Sequence, residues 1–385
     1  MAITTINKKD RLYTDIEISG QPELWGSVFQ LLVGDKEKIS DFLNPLFQIK
    51  NLQIILTGAG SSAFIGEAAQ GLVQKHTGCN TKAISTTDLV THPDLYFQPG
   101  LPTLLISFAR SGNSPESLET VKLADYFCEE VYHLIITCNK DGELLSYSTI
   151  NTDRSYALLL PEASNDKSLA MTGSFTSMLL SVLLISDIKN IKNKDKEVKQ
   201  IVEQGNLILN NAKAFEKISV INFERVVFLG SGPMLGIARE CHLKLQELTD
   251  GQVICKYDSF LGFRHGPRAV TNEKTLLVYL FSPIDHVYKY ELDLARSVAI
   301  DSRNIGYLSI GRPEDKALKS SLSIDLKLNS SQELNTVPSA LVGQLLGFYK
   351  SLELGLNPDN PCVSGAINRV VQGVTIYEYP KELKK

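Results

Sequence analysis

The sequence lacks paired cysteines, and this excludes a small disulfide-stabilised fold. Its six cysteines follow no CxxC spacing: Cys79, Cys128, Cys138, Cys241, Cys255 and Cys362. The first residues, MAITTINKKD, also lack the apolar core that a signal peptide needs. We therefore expect free thiols and a cytoplasmic location.

Long apolar runs and a basic surplus are missing too. The longest apolar stretch, Ser177 to Ser186, is about half of what a membrane span requires, so it predicts a buried helix and no membrane partner. A net charge of −4 argues against a nucleic-acid partner but leaves room for a small anion held by local donors. The histidines outside the RHGP segment have no metal-ligand spacing: His76, His92, His133, His242 and His286. We expect neither a metal nor a cofactor.

Apolar runs that alternate with helical patterns are what the sequence does contain. LQIILTGAG, PTLLISFARSG and VYHLIITCN read as strands, and the first two lead into helical segments, the first of which stops at Gly78. Strands without polar alternation are typical of a parallel sheet covered on both faces. The predicted fold class is α/β, with doubly wound parallel sheets flanked by helices.

The second half of the chain repeats the first. Leu56 before one glycine turn corresponds to Leu229 before another, an offset of 173, and the same offset relates Ser107 to Leu280. A lysine-rich stretch, Asp187 to Gln200, predicts the seam. We expect a helical extension over residues 1–35, one domain over 36–195, and a second domain with a C-terminal tail over 205–385.

The glycine turn GAGSSA permits two interpretations. It satisfies the dinucleotide pattern GxGxxG/A between a strand and a helix, but the first acid that could bind a ribose, Asp88, comes late. A monophosphate suits the turn better, because two helix N-termini and the hydroxyls of Ser61, Ser62, Ser111 and Ser114 would surround a dianion with donors. Plain helix capping is the alternative for each serine taken alone.

Five segments together carry a family resemblance: TGAGSSAFIGEAA, FARSGNSPES, SNDKSLAMTGSFTSMLL, ECHLKLQELTDG and FRHGPRAV. They resemble the sugar isomerase (SIS) family of phosphosugar-binding domains, arranged as a tandem pair from about residue 40 to the end. Within that family the chain is similar to the D-galactosamine-6-phosphate deaminase/isomerases, also called tagatose-6-phosphate ketose/aldose isomerases. The resemblance implies a hydrolytic deamination coupled to isomerisation, which forms tagatose 6-phosphate and ammonia.

The resemblance also implies roles for individual residues. In LKLQE, Glu247 would move a proton between C2 and C1, and Lys244 would hold the open-chain hydroxyls. His265 of RHGP would assist ring opening from a neighbouring subunit, which implies a homodimer or a higher homo-oligomer. The predicted substrate and phosphate contacts are Ser61, Ser62, Arg110, Ser111, Asn113 and Ser114, with Arg110 standing where the related glucosamine-6-phosphate synthase has glutamine.

Elementary chemistry is compatible with these roles. One carboxylate can take a proton from one carbon and return it to its neighbour, and a histidine suits ring opening near neutral pH. Glu240, Lys244 and Glu247 stand at i, i+4 and i+7 and so share a helix face. A solvated salt-bridge stripe and an ordinary loop histidine are the alternatives.

Three other functions stay open at this point. Glucosamine 6-phosphate differs from the preferred substrate only in its configuration at C4. No motif in the sequence indicates which configuration is bound. A simple aldose–ketose isomerase would release no ammonia. A phosphosugar-sensing module would bind without turnover, although the sequence shows no DNA-binding helix pair or basic segment.

Overall fold

The computed structural model describes residues 11–301, 303–329, 333–371 and 373–380. It contains two five-stranded sheets in which every neighbouring pair of strands is parallel. The predicted α/β class with two parallel sheets is confirmed. Residues 1–10 of the expected N-terminal extension lie outside the described residues.

The first sheet has the strand order β2-β1-β3-β4-β5 and the second β10-β9-β8-β6-β7. The first-sheet strands are β1 (Gln53–Thr57), β2 (Asn80–Ala83), β3 (Thr103–Ala109), β4 (Val131–Thr137) and β5 (Ser155–Leu159). The second-sheet strands are β6 (Arg225–Gly230), β7 (Ile254–Asp258), β8 (Thr275–Leu280), β9 (Gly306–Ile310) and β10 (Leu322–Ile324).

Helices precede, connect and follow these strands. Those up to the end of the first sheet are α1 (Tyr13–Ser19), α2 (Gln21–Gly34), α3 (Lys36–Leu46), α4 (Ser61–Thr77), α5 (Thr86–Thr91), α6 (Pro93–Tyr96), α7 (Pro115–Phe127) and α8 (Glu143–Ile150). The later helices are α9 (Gly173–Ile185), α10 (Asp195–Asn210), α11 (Ala212–Ser219), α12 (Pro233–Leu248), α13 (Phe260–Phe263), α14 (Asp285–Ala299), α15 (Thr336–Ser339) and α16 (Leu341–Glu353). Short 3-10 helices occupy Glu162–Ser164, Ile188–Lys194 and Pro267–Val270.

Burial explains why the apolar runs form these strands. Every residue of β1, β3 and β8 is buried, because helices cover both faces of each sheet. The predicted end of α4 is confirmed, since Gly78 follows it in the left-handed conformation at φ +72°. The apolar stretch around Ser177 forms α9, in which every residue is buried.

The two halves repeat at a slightly different offset from the predicted one. Gly60 and Gly232, 172 positions apart, precede α4 and α12 with almost the same backbone angles, φ/ψ of 56°/−129° and 55°/−126°. Leu56 pairs with Ile106 and Phe228 with Val278, again 172 apart. The predicted offset of 173 was one residue too long, because it aligned Leu56 with Leu229 instead of Phe228.

The halves join where α12 crosses α4. A Cβ on Gly236 would lie 2.5 Å from the backbone nitrogen of Ala68, so the two helices touch main chain to main chain. Beside this contact Arg239 forms an ion pair with Glu67, its partner at the offset of 172. Equivalent positions of the two halves therefore meet at this crossing.

The stretch predicted as the seam is helical. Ile188–Lys194 forms a 3-10 helix and α10 follows directly, with Gly205 packed against the ring of Trp25. Lys194 at the junction forms ion pairs with Glu333 at 3.0 Å and with Glu197 at 3.5 Å. These charges join the end of the first half to a loop of the second.

In the described part of the chain, no single helix is long and apolar enough to cross a membrane. Only α9 taken together with Ile188–Asn210 reaches the required length and composition, and that pair is bent by 114°.

Close helix packing around α12 generates a stability prediction. A Cβ on Gly343 of α16 would lie 2.4 Å from the Cα of Cys241, so Gly343→Ala should lower the free energy of unfolding by about 1–3 kcal/mol. Gly71→Ala is the control, because nothing lies within 4 Å of that position and alanine should raise stability by up to about 1 kcal/mol. Urea unfolding measures both. Equal stability of Gly343→Ala and wild type would contradict the close contact.

Candidate active site

Two turns at one edge of the first sheet form the floor of the site. Ser61 and Ser62 begin α4 directly after Gly60, and both side chains are buried. Gly58 is required before them, since a Cβ there would lie 2.5 Å from the Cβ of Ser62. Because β1 pairs with β3 in parallel, the turn after β3 lies beside this one.

Hydrogen bonds from residues that follow β4 hold the second turn, residues 110–114, in place. Asn139 donates its side-chain amide to the carbonyl of Ser111 at 2.7 Å, and the side-chain oxygen of Asn113 accepts from the amide of Glu143 at 2.9 Å. Ser114 sits at the N-cap of α7, but its hydroxyl is hydrogen bonded to that of Ser117 at 2.6 Å. The turn therefore keeps its shape without a ligand.

The C-terminal half of α12 brings a charged cluster to these turns. The ammonium of Lys244 lies 2.6 Å from Glu247 and 3.6 Å from Glu240. Lys244 is 1% exposed and Glu240 0%, whereas Glu247 is 23% exposed. The predicted helix face is confirmed, but it is buried instead of being a solvated salt-bridge stripe.

Burial and mutual charge shift the proton affinities of this cluster. Burial raises the pKa of Glu240 to about 8, and Glu247 adds to the rise, although Lys244 and the hydroxyl of Ser61 oppose it. Burial alone would lower the pKa of Lys244, but the two glutamates outweigh it and the pKa is raised. Lys244 is thus held as a cation between two acids.

Arg110 connects the floor of the site to two other segments. Its guanidinium donates to the carbonyls of Ser168 at 3.3 Å and Leu169 at 2.9 Å, and also to the carbonyl of Arg369. Burial lowers its pKa, and the charge of Glu247 acts in the opposite direction. The predicted phosphate ligand therefore also anchors a loop and the tail, which leaves its charge and remaining N–H groups for a ligand.

The loop that receives Arg110 is organised by Asp166. This buried carboxylate accepts hydrogen bonds from the amides of Thr172 at 2.9 Å, Gly173 at 2.9 Å and Ser174 at 3.0 Å, and so caps α9. Glu17 of α1 holds the same loop through the amide of Lys167. Sequence patterns missed Asp166 because it caps from six residues away, outside the usual local capping motif.

The C-terminal tail crosses this side of the molecule. Arg369 donates to the carbonyl of Asp166 at 2.6 Å and to the side chain of Asn165 at 2.8 Å. Farther on, Tyr379 packs edge to face against Phe127 of α7 at 5.1 Å between ring centroids. The tail is thus fastened at two points, the loop of Asp166 and the C-terminal end of α7.

His265 is not brought to the cluster within the chain. It follows α13, whose Phe260 packs with Val227 and Leu229, whereas α12 packs with Val226 and Phe228 on the opposite face of β6. The side chain is exposed, and among the described residues it has no hydrogen bond or ion pair. The second sheet therefore separates His265 from Glu247 in one chain.

Of the predicted residues, the structure gathers Ser61, Ser62, Arg110, Lys244 and Glu247 at one place. Ser111, Asn113 and Ser114 lie on the adjoining turn. Contacts across the site add Glu240, Asp166 and Arg369, none of which was among the predicted site residues. Across the described ranges, no three His, Cys, Asp or Glu side chains are grouped to hold a metal ion.

Comparison with known proteins places this geometry in context. The SIS domain family model matches residues 46–186. The D-galactosamine-6-phosphate deaminase AgaS of Shewanella sp. (strain ANA-3) is 40% identical over 96% of this chain and 92% of its own length, and that of Escherichia coli is 38% identical over 95% and 96%. The crystal structure of tagatose-6-phosphate ketose/aldose isomerase from Escherichia coli superposes with a TM-score of 0.87 at 35% identity, covering 98% of this chain and 100% of that one.

The buried cluster on α12 generates a second prediction. Lys244→Met should lower the free energy of unfolding by about 3–5 kcal/mol, because it leaves the buried Glu240 without a cation. The double variant Lys244→Met, Glu240→Met should recover most of that loss, since a buried ion pair can be replaced by apolar side chains at little cost. Chemical unfolding of the two variants tests this. A double variant as unstable as the single one would show that Glu240 is not what Lys244 neutralises.

Proposed function

Because the chain belongs to the SIS-domain family and is 40% identical to D-galactosamine-6-phosphate deaminase AgaS over almost its whole length, we propose that it is a deaminating isomerase of amino-sugar phosphates. The preferred substrate is D-galactosamine 6-phosphate, and the products are tagatose 6-phosphate and ammonia. The reaction is described as deamination with isomerisation, and not classed as a hydrolysis, because the relatives are named deaminases and isomerases.

One observation carries the chemistry. Glu247 is partly exposed, lies 2.6 Å from the ammonium of Lys244, and is close enough to Arg110 on the phosphate turn to affect its pKa. A carboxylate beside a phosphate-binding turn is placed to act on carbon atoms of a sugar whose phosphate is held there. The buried ammonium of Lys244 holds that carboxylate in place.

In the proposed reaction the two turns of the first sheet hold the 6-phosphate. After ring opening, Glu247 takes the proton from C2 and the C1 oxygen gains a proton, which yields an enolamine. Return of the proton to C1 gives a C2 imine, and water adds to C2 as ammonia leaves. Lys244 holds the open-chain hydroxyls, and no cofactor is needed.

His265 takes part from a second chain in this proposal. The sheet between His265 and Glu247 within one chain supports this arrangement, as does the exposed, unengaged imidazole in the described structure. We therefore propose a homodimer or a higher homo-oligomer with shared sites. Six free cysteines, five of them buried, agree with a reducing compartment, and we place the enzyme in the cytoplasm.

A second candidate is the simple isomerisation of a neutral aldose phosphate. It is favoured by the name of the Escherichia coli tagatose-6-phosphate ketose/aldose isomerase, whose structure resembles this chain. The two reactions share the proton transfer and differ in ammonia release. Glucosamine 6-phosphate deamination and phosphosugar sensing without turnover complete the alternatives.

The first experiment measures ammonia and tagatose 6-phosphate with galactosamine 6-phosphate and glucosamine 6-phosphate in parallel. We expect rapid ammonia release from the galacto epimer. Glu247→Gln should reduce turnover about 10²–10⁴-fold while substrate binding persists, because the base is lost but the phosphate turns remain. Gln246→Ala, at an exposed position on the same helix, is the control.

The outcomes separate the candidates. Ketose without ammonia from a neutral aldose phosphate would assign the simple isomerase, and faster ammonia from the gluco epimer would change the substrate. Tight binding without any turnover would favour a sensor. Full activity of Glu247→Gln would remove Glu247 from the mechanism.

Mixing inactive chains tests the shared site. In oligomers that combine Glu247→Gln chains with His265→Ala chains, one type of site contains both intact residues. For a dimer with random pairing we expect about a quarter of wild-type activity, from two parents that are nearly inactive. Activity no higher than that of the parents, in oligomers shown to contain both chains, would mean that His265 does not act across a subunit boundary.

A further inference from the structure

The second half contains a turn with the same backbone as the first-half turn at residues 58–62. Gly232 repeats the φ and ψ of Gly60 within a few degrees. Gly230 repeats the close approach of Gly58, since its added Cβ would lie 2.3 Å from the carbonyl oxygen of Met234. The parallel pairing of β6 with β8 places a second turn, after Leu280, beside it.

The serines of the first-half turns are replaced at the matching positions of this second pair of turns. At the offset of 172, Ser61 and Ser62 correspond to Pro233 and Met234, and Ser111 corresponds to Pro283. Proline lacks an N–H donor, so two amide donors disappear together with three hydroxyls. The second half keeps the backbone shape of the turns but lacks these two amide donors and three hydroxyls.

A carboxyl group lies where the two turns converge. Glu291 of α14 is 0% exposed, and its Oε2 accepts the amide hydrogen of Ser282, in the turn after β8, at 2.8 Å. The side chain of Ser231, in the turn after β6, faces the same carboxyl group. Its Oε1 is buried and has no hydrogen bond within the described residues.

The helix that follows the first-half turns carries no such buried acid. The buried residues of α7 are Ser117, Thr120, Val121, Leu123, Ala124 and Phe127, none of which is acidic. On α14 the buried residues are Glu291, Leu294, Ala295 and Val298, so the carboxyl stands on a face that is otherwise apolar.

We propose that the carboxyl of Glu291 is a built-in ligand of the second-half turns, so that each chain binds one phosphosugar, in its first half only. The one-site count rests on the proposed function, whereas the internal ligand does not. Arg312 holds the same turn from the other side, donating to the carbonyls of Ser282 at 2.8 Å and Pro283 at 2.6 Å. The second half is thereby braced permanently and serves to carry α12.

The carboxyl keeps its place in either protonation state. Burial raises the pKa of Glu291 to about 7. The amide of Ser282, the side chain of Ser231 and the charge of Arg312 each act to lower that pKa. A carboxyl oxygen can accept the Ser282 hydrogen bond whether or not the group is ionised.

Binding stoichiometry tests the one-site count. Calorimetric titration of the wild-type protein uses an open-chain hexitol 6-phosphate, which has no carbonyl to react. We expect one molecule bound per chain, and Ser111→Pro, which introduces the second-half residue, should abolish that binding. Two molecules per chain would overturn the inference. No binding, with no phosphosugar turnover, would overturn the proposed function and with it the one-site count.

Chemical rescue tests the internal ligand independently. Glu291→Thr, which removes the carboxyl, should lower the melting temperature, and sodium formate should restore part of the loss by supplying a small carboxylate. Formate should shift wild type and Glu291→Gln much less, because their sites stay filled. Equal shifts in all three proteins, or a Glu291→Thr variant as stable as wild type, would overturn the internal ligand. If Glu291→Thr does not fold, Glu291→Ser takes its place, and a second phosphosugar site in wild type would still overturn the inference.

Discussion

The contact between α4 and α12 is the constraint on which the rest of the molecule depends. With Gly236 against the backbone of Ala68, the two helices approach too closely for any larger side chain. That approach lays the C-terminal half of α12 beside the start of α4, so that acids encoded in the second half meet hydroxyls encoded in the first. The candidate active site therefore combines residues of both halves.

The charges in this contact contribute little net stability. Lys244 is buried between Glu240 and Glu247, and a buried ion cluster of this kind generally stabilises a fold no better than apolar side chains of similar size would. What the cluster provides is a partly exposed carboxylate with a fixed position next to the phosphate turn. Arg110 extends the same arrangement to the loop of Asp166 and to the tail, so the segments around the site are coupled through one guanidinium.

Much of this could be predicted from the amino-acid sequence, and the reasons are local. Uninterrupted apolar runs indicated buried parallel strands, and glycine followed by serines indicated a turn between a strand and a helix. The predictions that were wrong or missing concerned the alignment of the two halves and contacts between residues several positions apart in the sequence. An apolar pattern tolerates a shift of one residue, so the repeat was placed at 173 instead of 172, and Asp166 escaped notice because its partners lie six to eight residues away. The seam before Gln200 stays a prediction, and Lys194 within it forms ion pairs with Glu197 and with Glu333 of the second half.

The sequence by itself determined the α/β class, the duplication and the face shared by Glu240, Lys244 and Glu247, because each follows from periodicity along a single element. Only the tertiary structure decided which of these residues meet. The burial of Lys244, the engagement of Arg110 by carbonyls and the position of His265 beyond the second sheet all depend on how distant elements pack. Burial sets the cost of a charge, and it arises from contacts between segments far apart along the chain.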